Sequence, residues 1–155
     1  MEISPEKLLK KKVSIIILAT IMITGAILTP IVISLQSNLN INSTGDGQIN
    51  ISVETAYNMT MDRDSYPDLI ILDVRTLSEY NDGHINNSIL IPHTELESRI
   101  GELSGYENRE IIVYCRSGFR SNLASQILVN HNFTKVYNLL GGFNAWTGAN
   151  YSFVM

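Results

Sequence analysis

The sequence predicts an α/β domain with a largely parallel sheet, preceded by one membrane-crossing helix. Two observations carry this reading. Beyond Ile51, short aliphatic runs alternate with helical segments in the order strand, helix, strand. Before it, Val13 to Leu35 is a mostly aliphatic run of 23 residues, and no charged side chain stands between Lys12 and Asp46. The overall numbers bound what remains. The 155 residues carry a formal charge of −4, are 45% hydrophobic and contain one cysteine. That is enough chain for one domain and not two; it closes no disulfide within itself, and it is too apolar and aromatic for wholesale disorder.

Residues 1–12 form a basic N-terminus, with Lys7, Lys10, Lys11 and Lys12 against Glu2 and Glu6. Residues 13–35 as a helix would be about 34 Å long at ~1.5 Å per residue, enough for a hydrocarbon core of ~30 Å. A buried core helix would be shorter and carry a polar stripe. A cleaved secretory signal starts the same way, but its apolar region stops after ~7–15 residues and ends at a small-residue site, which this run lacks. An uncleaved anchor is therefore expected, with Pro30 kinking its last turns without preventing the crossing. Lysine-rich flanks stay in the cytoplasm, so the N-terminus is expected inside and the rest of the chain outside. Asn-x-Ser/Thr triplets begin at Asn42, Asn50, Asn58, Asn86, Asn132 and Asn150. Chance gives roughly 2.4 for this composition, and the excess adds an expectation of glycosylation. Beyond residue 12 the chain is net acidic, which excludes nucleic-acid binding through a basic face.

Residues 36–50 (QSNLNINSTGDGQIN) are polar, with two glycines, and read as a linker. Residues 51–155 remain for the domain. Ser52 is placed to cap a first helix through Ala56, Tyr57 and Met61, and Pro67 bars helix before the strand Leu69–Val74. Thr76-Leu77-Ser78-Glu79 has capping-box spacing, as does Thr94-Glu95-Leu96-Glu97, so each should open a helix. Ser88 to Ile91 is the short strand between them. Ile111–Tyr114 is the next buried strand; Leu123, Ala124, Ile127 and Leu128 form one face of the helix behind it, and Val136–Leu139 is the last strand.

The chemistry concentrates in Cys115-Arg116-Ser117-Gly118-Phe119-Arg120-Ser121, which leaves a strand end and runs into a helix. Open α/β sheets bind ligands at that place. A loop entering a helix offers free backbone N–H groups and the positive end of a dipole, and Arg116 and Arg120 add to that field. These conditions lower a thiol pKa and make Cys115 a nucleophile rather than an inert buried thiol. Gly118 permits the tight curl that brings the amides around the sulfur.

Five motifs in order give residues 51–153 a specific resemblance to the rhodanese-like sulfurtransferases. They are Leu72-Asp73-Val74-Arg75 with Glu79-Tyr80, Gly83-His84-Ile85, Ile91-Pro92, Tyr114 to Ser121, and Leu140-Gly141-Gly142-Phe143 with Trp146. The resemblance implies a single-domain, five-stranded parallel sheet flanked by helices, with the active loop after the fourth strand. It implies a thiosulfate sulfurtransferase that takes sulfane sulfur from a thiosulfate-like anion onto Cys115 and passes it to a thiol or cyanide. Backbone amides from Arg116 to Ser121 would hold the sulfur, and the two arginines would attract the donor. Asp73, Arg75 and Glu79 are expected as scaffold, with Arg75 pairing with Glu79 and Asp73 near the mouth of the site. Where the family usually has a small residue, this chain reads Asn87-Ser88, and Ser88 is small enough to serve.

Two other readings stand beside this one. Related cysteine phosphatases and arsenate reductases carry a loop one residue longer; four residues between Cys115 and Arg120 suit one sulfur atom better than phosphate. Non-catalytic binding or regulatory modules of the family usually lack the cysteine. No metal-ligand set is visible, since His84, His93 and His131 lie far apart and there is no second cysteine. Nothing requires a cofactor.

Overall fold

A computed structural model of the chain describes residues 47–155 and the backbone of Asn42 and Ser43. The basic N-terminus, the 13–35 run and most of the 36–50 stretch lie outside the described residues. Among the described residues no helix is long and apolar enough to cross a membrane.

Six strands form one sheet: β1 (Asn42–Ser43), β2 (Gln48–Ile51), β3 (Ile70–Asp73), β4 (Ile89–Leu90), β5 (Glu110–Tyr114) and β6 (Lys135–Leu139). Their order is β1-β2-β6-β5-β3-β4, with β1 antiparallel to β2 and the other five mutually parallel. The expected five-stranded parallel sheet is present, with the short β1 added at one edge. Five helices connect it: α1 (Val53–Met61), α2 (Leu77–Asn81), α3 (Leu96–Arg99), which runs on into a 3-10 turn at Ile100–Leu103, α4 (Phe119–Asn130) and α5 (Gly142–Gly148).

β3 and β5 are central and covered on both faces, which is why they read as near-continuous aliphatic runs. Alternate residues separate two cores. Leu72, Ile111, Val113 and Val136 pack with Leu96, Leu103, Ala124 and Leu128 under α3 and α4. Ile71, Ile112, Tyr114 and Leu139 pack with Ala56, Met59 and Trp146 under α1 and α5. Cys115 belongs to the first core and Tyr114 to the second.

The Ser52 and Thr76 caps form as expected. Ser52 Oγ accepts from Thr55 N at 3.1 Å. Thr76 Oγ1 accepts from Glu79 N at 3.3 Å while the Glu79 carboxylate accepts from Thr76 N at 3.1 Å, a closed capping box. The second expected box does not form. α3 begins after Glu95 with no side-chain cap, because Glu95 N bonds to Pro92 O in a tight turn and fully buried Leu96 anchors the helix. The Glu95 carboxylate goes instead to Arg99 at 2.8 Å.

The polar stretch read as linker to residue 50 contributes a strand. β2 hides its polarity by pairing: Gln48 Nε2 donates to Asn122 Oδ1 at 2.6 Å, and Asn50 Oδ1 accepts from Asn138 Nδ2 at 2.8 Å. Its hydrophilic composition serves partners on α4 and β6 that lie more than 70 residues away. The C-terminal tail bridges the loop after α2, with Val154 paired to His84, rather than extending the sheet. Tyr151 stacks on Tyr57 at 3.9 Å and the Trp146 indole donates to Ser152 O at 2.9 Å, which fix the tail against α1 and α5.

Candidate active site

The parallel strands end on one side of the sheet, and β5 delivers Cys115 there. Gly118 sits at φ +100, a left-handed conformation open to glycine, and from it the chain enters α4. The curl turns amides toward the sulfur, and Gly118 N–H donates to Cys115 Sγ at 3.2 Å. Burial works against ionising the thiol, but hydrogen bonds from the Ser121 hydroxyl and from the N–H groups of Ser121, Ser117 and Gly118 outweigh it. The thiol pKa therefore lies below its ordinary value.

The loop carbonyls face the other way. Cys115 O accepts from Phe143 N at 2.7 Å and Arg116 O from Asn144 N at 3.0 Å, so the first turn of α5 holds the loop from behind. Gly142 allows this approach. It has φ +55, and a Cβ there would lie 2.3 Å from Cys115 O and 2.8 Å from the carbonyl carbon of Arg116. Any side chain at 142 must displace the backbone that carries the thiol.

Arg120 is fixed by α2. Its Nη1 and Nη2 donate to the two Glu79 oxygens at 2.8 and 2.7 Å, a bidentate pair that is about three-quarters buried on both sides. The Arg120 guanidinium, aided by the Thr76 N–H and hydroxyl, holds the Glu79 carboxyl down to about 2. In turn Glu79 raises the Arg120 pKa, and the Cys115 sulfur contributes to that rise. Glu79 thus cements a permanent cation beside the thiol. Arg116, Ser117 and Phe119 are exposed around it, and Phe119 keeps 72% of its surface in solvent.

Arg75 does not pair with Glu79. Its guanidinium turns inward and binds Asp73, with Nε at 2.9 Å and Nη2 at 2.6 Å from Oδ2, while Nη2 also reaches Gly83 O at 2.7 Å. The guanidinium carbon lies 4.3 Å from the Phe143 ring centroid and 5.4 Å from that of Tyr114. The physical reason is local. Glu79 is already committed to its capping box and to Arg120, and Arg75 precedes the helix rather than sharing a face with Glu79. Asp73 is fully buried on the Tyr114 face of the sheet, not at the mouth of the site. Burial pulls the Arg75 pKa down, but the Asp73 carboxylate more than offsets it. The Tyr114 hydroxyl accepts from Ile85 N at 3.1 Å and lies 3.1 Å from Ser88 Oγ; burial first, then the Asp73 charge, raises its pKa.

The structure therefore brings Cys115, Arg116, Ser117, Gly118, Phe119, Arg120 and Ser121 into one cradle, adds Glu79 to its rim and leaves Asp73 and Arg75 behind the sheet. His84 stacks on Tyr80 at 3.7 Å and bonds to its carbonyl. Among the described residues no three His, Cys, Asp or Glu side chains converge as metal ligands. Residue-by-residue reading missed the support that Gly142 gives the loop, and it missed Asn138. The signal for Asn138 was an amide next to Leu139 in a strand that alternates buried with more exposed residues; it is 2% exposed and bonds to the Ser121 hydroxyl.

Residues 52–149 match the profile of the rhodanese-like domain. A Bacillus subtilis protein, named "Putative sulfur carrier protein YrkF", is 44% identical over 85 residues, which are 55% of this chain and 45% of that protein, so the match spans less than half of the relative. The thiosulfate sulfurtransferase GlpE of Coxiella burnetii is 36% identical over 81 residues, 51% of this chain and 72% of its own length. Among solved structures, a rhodanese-related protein from Thermoplasma volcanium superposes with a TM-score of 0.59 at 28% identity, covering 68% of this chain and 96% of that one.

Proposed function

Since the chain belongs to the rhodanese-like domain family, we propose that it is a sulfurtransferase working through a persulfide on Cys115. The observation that carries the proposal is the polarity of the cradle: the Gly118 amide faces the sulfur, Arg120 is held on the same loop by Glu79, and the loop carbonyls are drawn away by α5. Such a site favours negative charge on sulfur and admits an anionic donor.

With thiosulfate, the Cys115 thiolate attacks the outer sulfur. A Cys115 S–S bond forms, the bond to the sulfonate sulfur breaks, and sulfite leaves with that electron pair. The persulfide's terminal sulfur then occupies the space faced by the loop amides, with Arg116 and Arg120 screening the charge of the arriving donor. A thiolate or cyanide acceptor attacks that terminal sulfur, and the Cys115 S–S bond breaks. The thiolate is regenerated as the acceptor leaves as a persulfide or thiocyanate. No step needs an external oxidant. The relatives named as sulfurtransferase and sulfur carrier support this chemistry, and the four-residue spacing from Cys115 to Arg120 favours a single sulfur over phosphate.

The test is to incubate the full chain with thiosulfate and weigh the peptide that contains Cys115. The expected result is a gain of one sulfur atom, lost again on adding cyanide with release of thiocyanate. No adduct from thiosulfate or from any organic persulfide would overturn the proposal.

The 13–35 run supports a second part of the proposal: residues 13–35 anchor the chain in a membrane with the N-terminus cytoplasmic and the domain extracytoplasmic. Protease added to intact cells should then digest the domain. Protection until the cells are lysed would reverse the orientation.

A further inference from the structure

Of the six Asn-x-Ser/Thr triplets, the five that begin at Asn50, Asn58, Asn86, Asn132 and Asn150 lie within the described side chains. A folded domain receives an N-linked sugar where the asparagine amide and the hydroxyl two residues later are both open in a surface loop. The fold sorts the five by that criterion. Asn50 is inside β2, and its Oδ1 is held at 2.8 Å by the Nδ2 of buried Asn138. Asn58 is exposed but sits within α1, and its partner Thr60 is half-buried with the hydroxyl folded onto Tyr57 O at 2.7 Å. Asn86 is exposed, yet its partner Ser88 is buried, with the hydroxyl 3.1 Å from that of Tyr114.

Asn132 and Asn150 meet the criterion. In Asn132-Phe133-Thr134 and in Asn150-Tyr151-Ser152, both the asparagine and the hydroxyl residue are exposed outside helix and strand. The middle residues hold the loops in place: Phe133 is buried and Tyr151 stacks on Tyr57. Thr134 Oγ1 makes only a bond at the surface, to Glu107 O at 3.2 Å. The asparagines have φ +67 and +58 just beyond the ends of α4 and α5. Asparagine is a common left-handed helix ending, which explains those two residues but not the hydroxyl that follows each.

Both places are remote from the thiol. α4 starts at the cradle, and its 12 residues carry the chain about 18 Å along the axis before Asn132. α5 braces the cradle with its first turn, and its 7 residues carry the chain about 10 Å before Asn150. A saccharide at either asparagine leaves the approach to Cys115 open.

We propose that Asn132 and Asn150 are N-glycosylation sites, modified on the folded domain by a transferase that uses a polyprenyl-phosphate-linked saccharide. This goes beyond sulfur transfer and rests on the proposed extracytoplasmic placement of the domain. The asparagine Nδ2 bonds to C1 of the sugar. The bond from C1 to the phosphate oxygen breaks, its electron pair leaves on the polyprenyl phosphate, and the amide proton passes to a base of the transferase. Nothing is oxidised or reduced.

The test is to purify the full chain from the cells that make it and weigh its tryptic peptides. Asn132 falls on residues 121–135, Asn150 on 136–155 and Asn86 on 76–99, one triplet to each peptide. Saccharide mass is expected on the first two and none on the third. Thr134→Val and Ser152→Ala leave the asparagine turns in place, and each should strip the sugar from its own peptide alone; Thr134→Ser should restore it. A bare peptide 121–135 or 136–155 removes that site. Sugar on 76–99 at equal occupancy would overturn the proposal, since the fold would then select nothing. Protease added to the same intact cells separates the two ways of failing. A digested domain with both peptides bare rejects glycosylation alone, and a protected domain with both bare rejects the placement as well.

Discussion

Replacing Cys115 with serine is expected to reduce thiocyanate formation from thiosulfate and cyanide by about 10³-fold or more, to the uncatalysed background, while the fold survives. The nucleophile must be ionised and soft enough to attack a sulfane sulfur. The cradle lowers a thiol pKa from an ordinary value of about 8.5, but a serine hydroxyl starts many units higher, and a few amide hydrogen bonds cannot bring it into range. The fold should tolerate the change because the exchange is nearly isosteric. Gly118 N–H, which reaches the sulfur at 3.2 Å, can serve an oxygen equally well. Cys115 is 1% exposed, so the substitution does place a hydroxyl in a buried setting, and a loss of about 1 kcal/mol is expected. Circular dichroism and thermal melting of the variant would check that part. Retention of even a tenth of the parent turnover would remove Cys115 from the reaction.

Removing the Asp73 carboxylate should have the largest effect on stability. Arg75 is 3% exposed and Asp73 fully buried, and the pair is held by bonds of 2.6 to 3.0 Å. Asp73→Ala leaves the guanidinium buried with the Gly83 carbonyl and two aromatic faces as company, which do not neutralise its charge. Breaking one side of a buried ion pair costs about 3–5 kcal/mol, which for a domain near 100 residues lowers Tm by roughly 15 °C or more. The double variant Asp73→Ala with Arg75→Met should recover most of the loss, because an apolar side chain of similar volume can replace the buried pair. A single variant within about 1 kcal/mol of the parent in urea unfolding would contradict this account. The thiol lies on the other face of the sheet, so alkylation of Cys115 in the folded fraction should be little changed.

What could be read from the sequence follows the range of the interactions involved. The central strands were legible because burial on both faces needs continuous aliphatic side chains, and the Ser52 and Thr76 caps because a cap involves neighbours three residues apart. The cradle was legible for the same reason: its sulfur, amides and arginines fall within seven consecutive residues. β2 was not, since Gln48 and Asn50 look like solvent-facing residues until α4 and β6 supply their partners. The partner of Arg75 was not legible, because the cation that takes Glu79 is Arg120, 41 positions further along the chain. The brace from Phe143 N to Cys115 O spans 28 positions of chain, and no local rule encodes it.

The single thiol has a kinetic meaning. A persulfide enzyme with a neighbouring cysteine can discharge itself by closing an internal disulfide. Among these 155 residues Cys115 has no such neighbour, and the proposed persulfide form would wait for a second molecule. Donor and acceptor then never occupy the cradle together. In the proposed mechanism the first departs as sulfite before the second arrives, so reciprocal rate plots at several acceptor concentrations should run parallel rather than converge. On that proposal the loaded form would be a stored equivalent whose lifetime is set by how often an acceptor encounters the loop. The exposed ring of Phe119 beside that loop is among the first surfaces such an acceptor would meet.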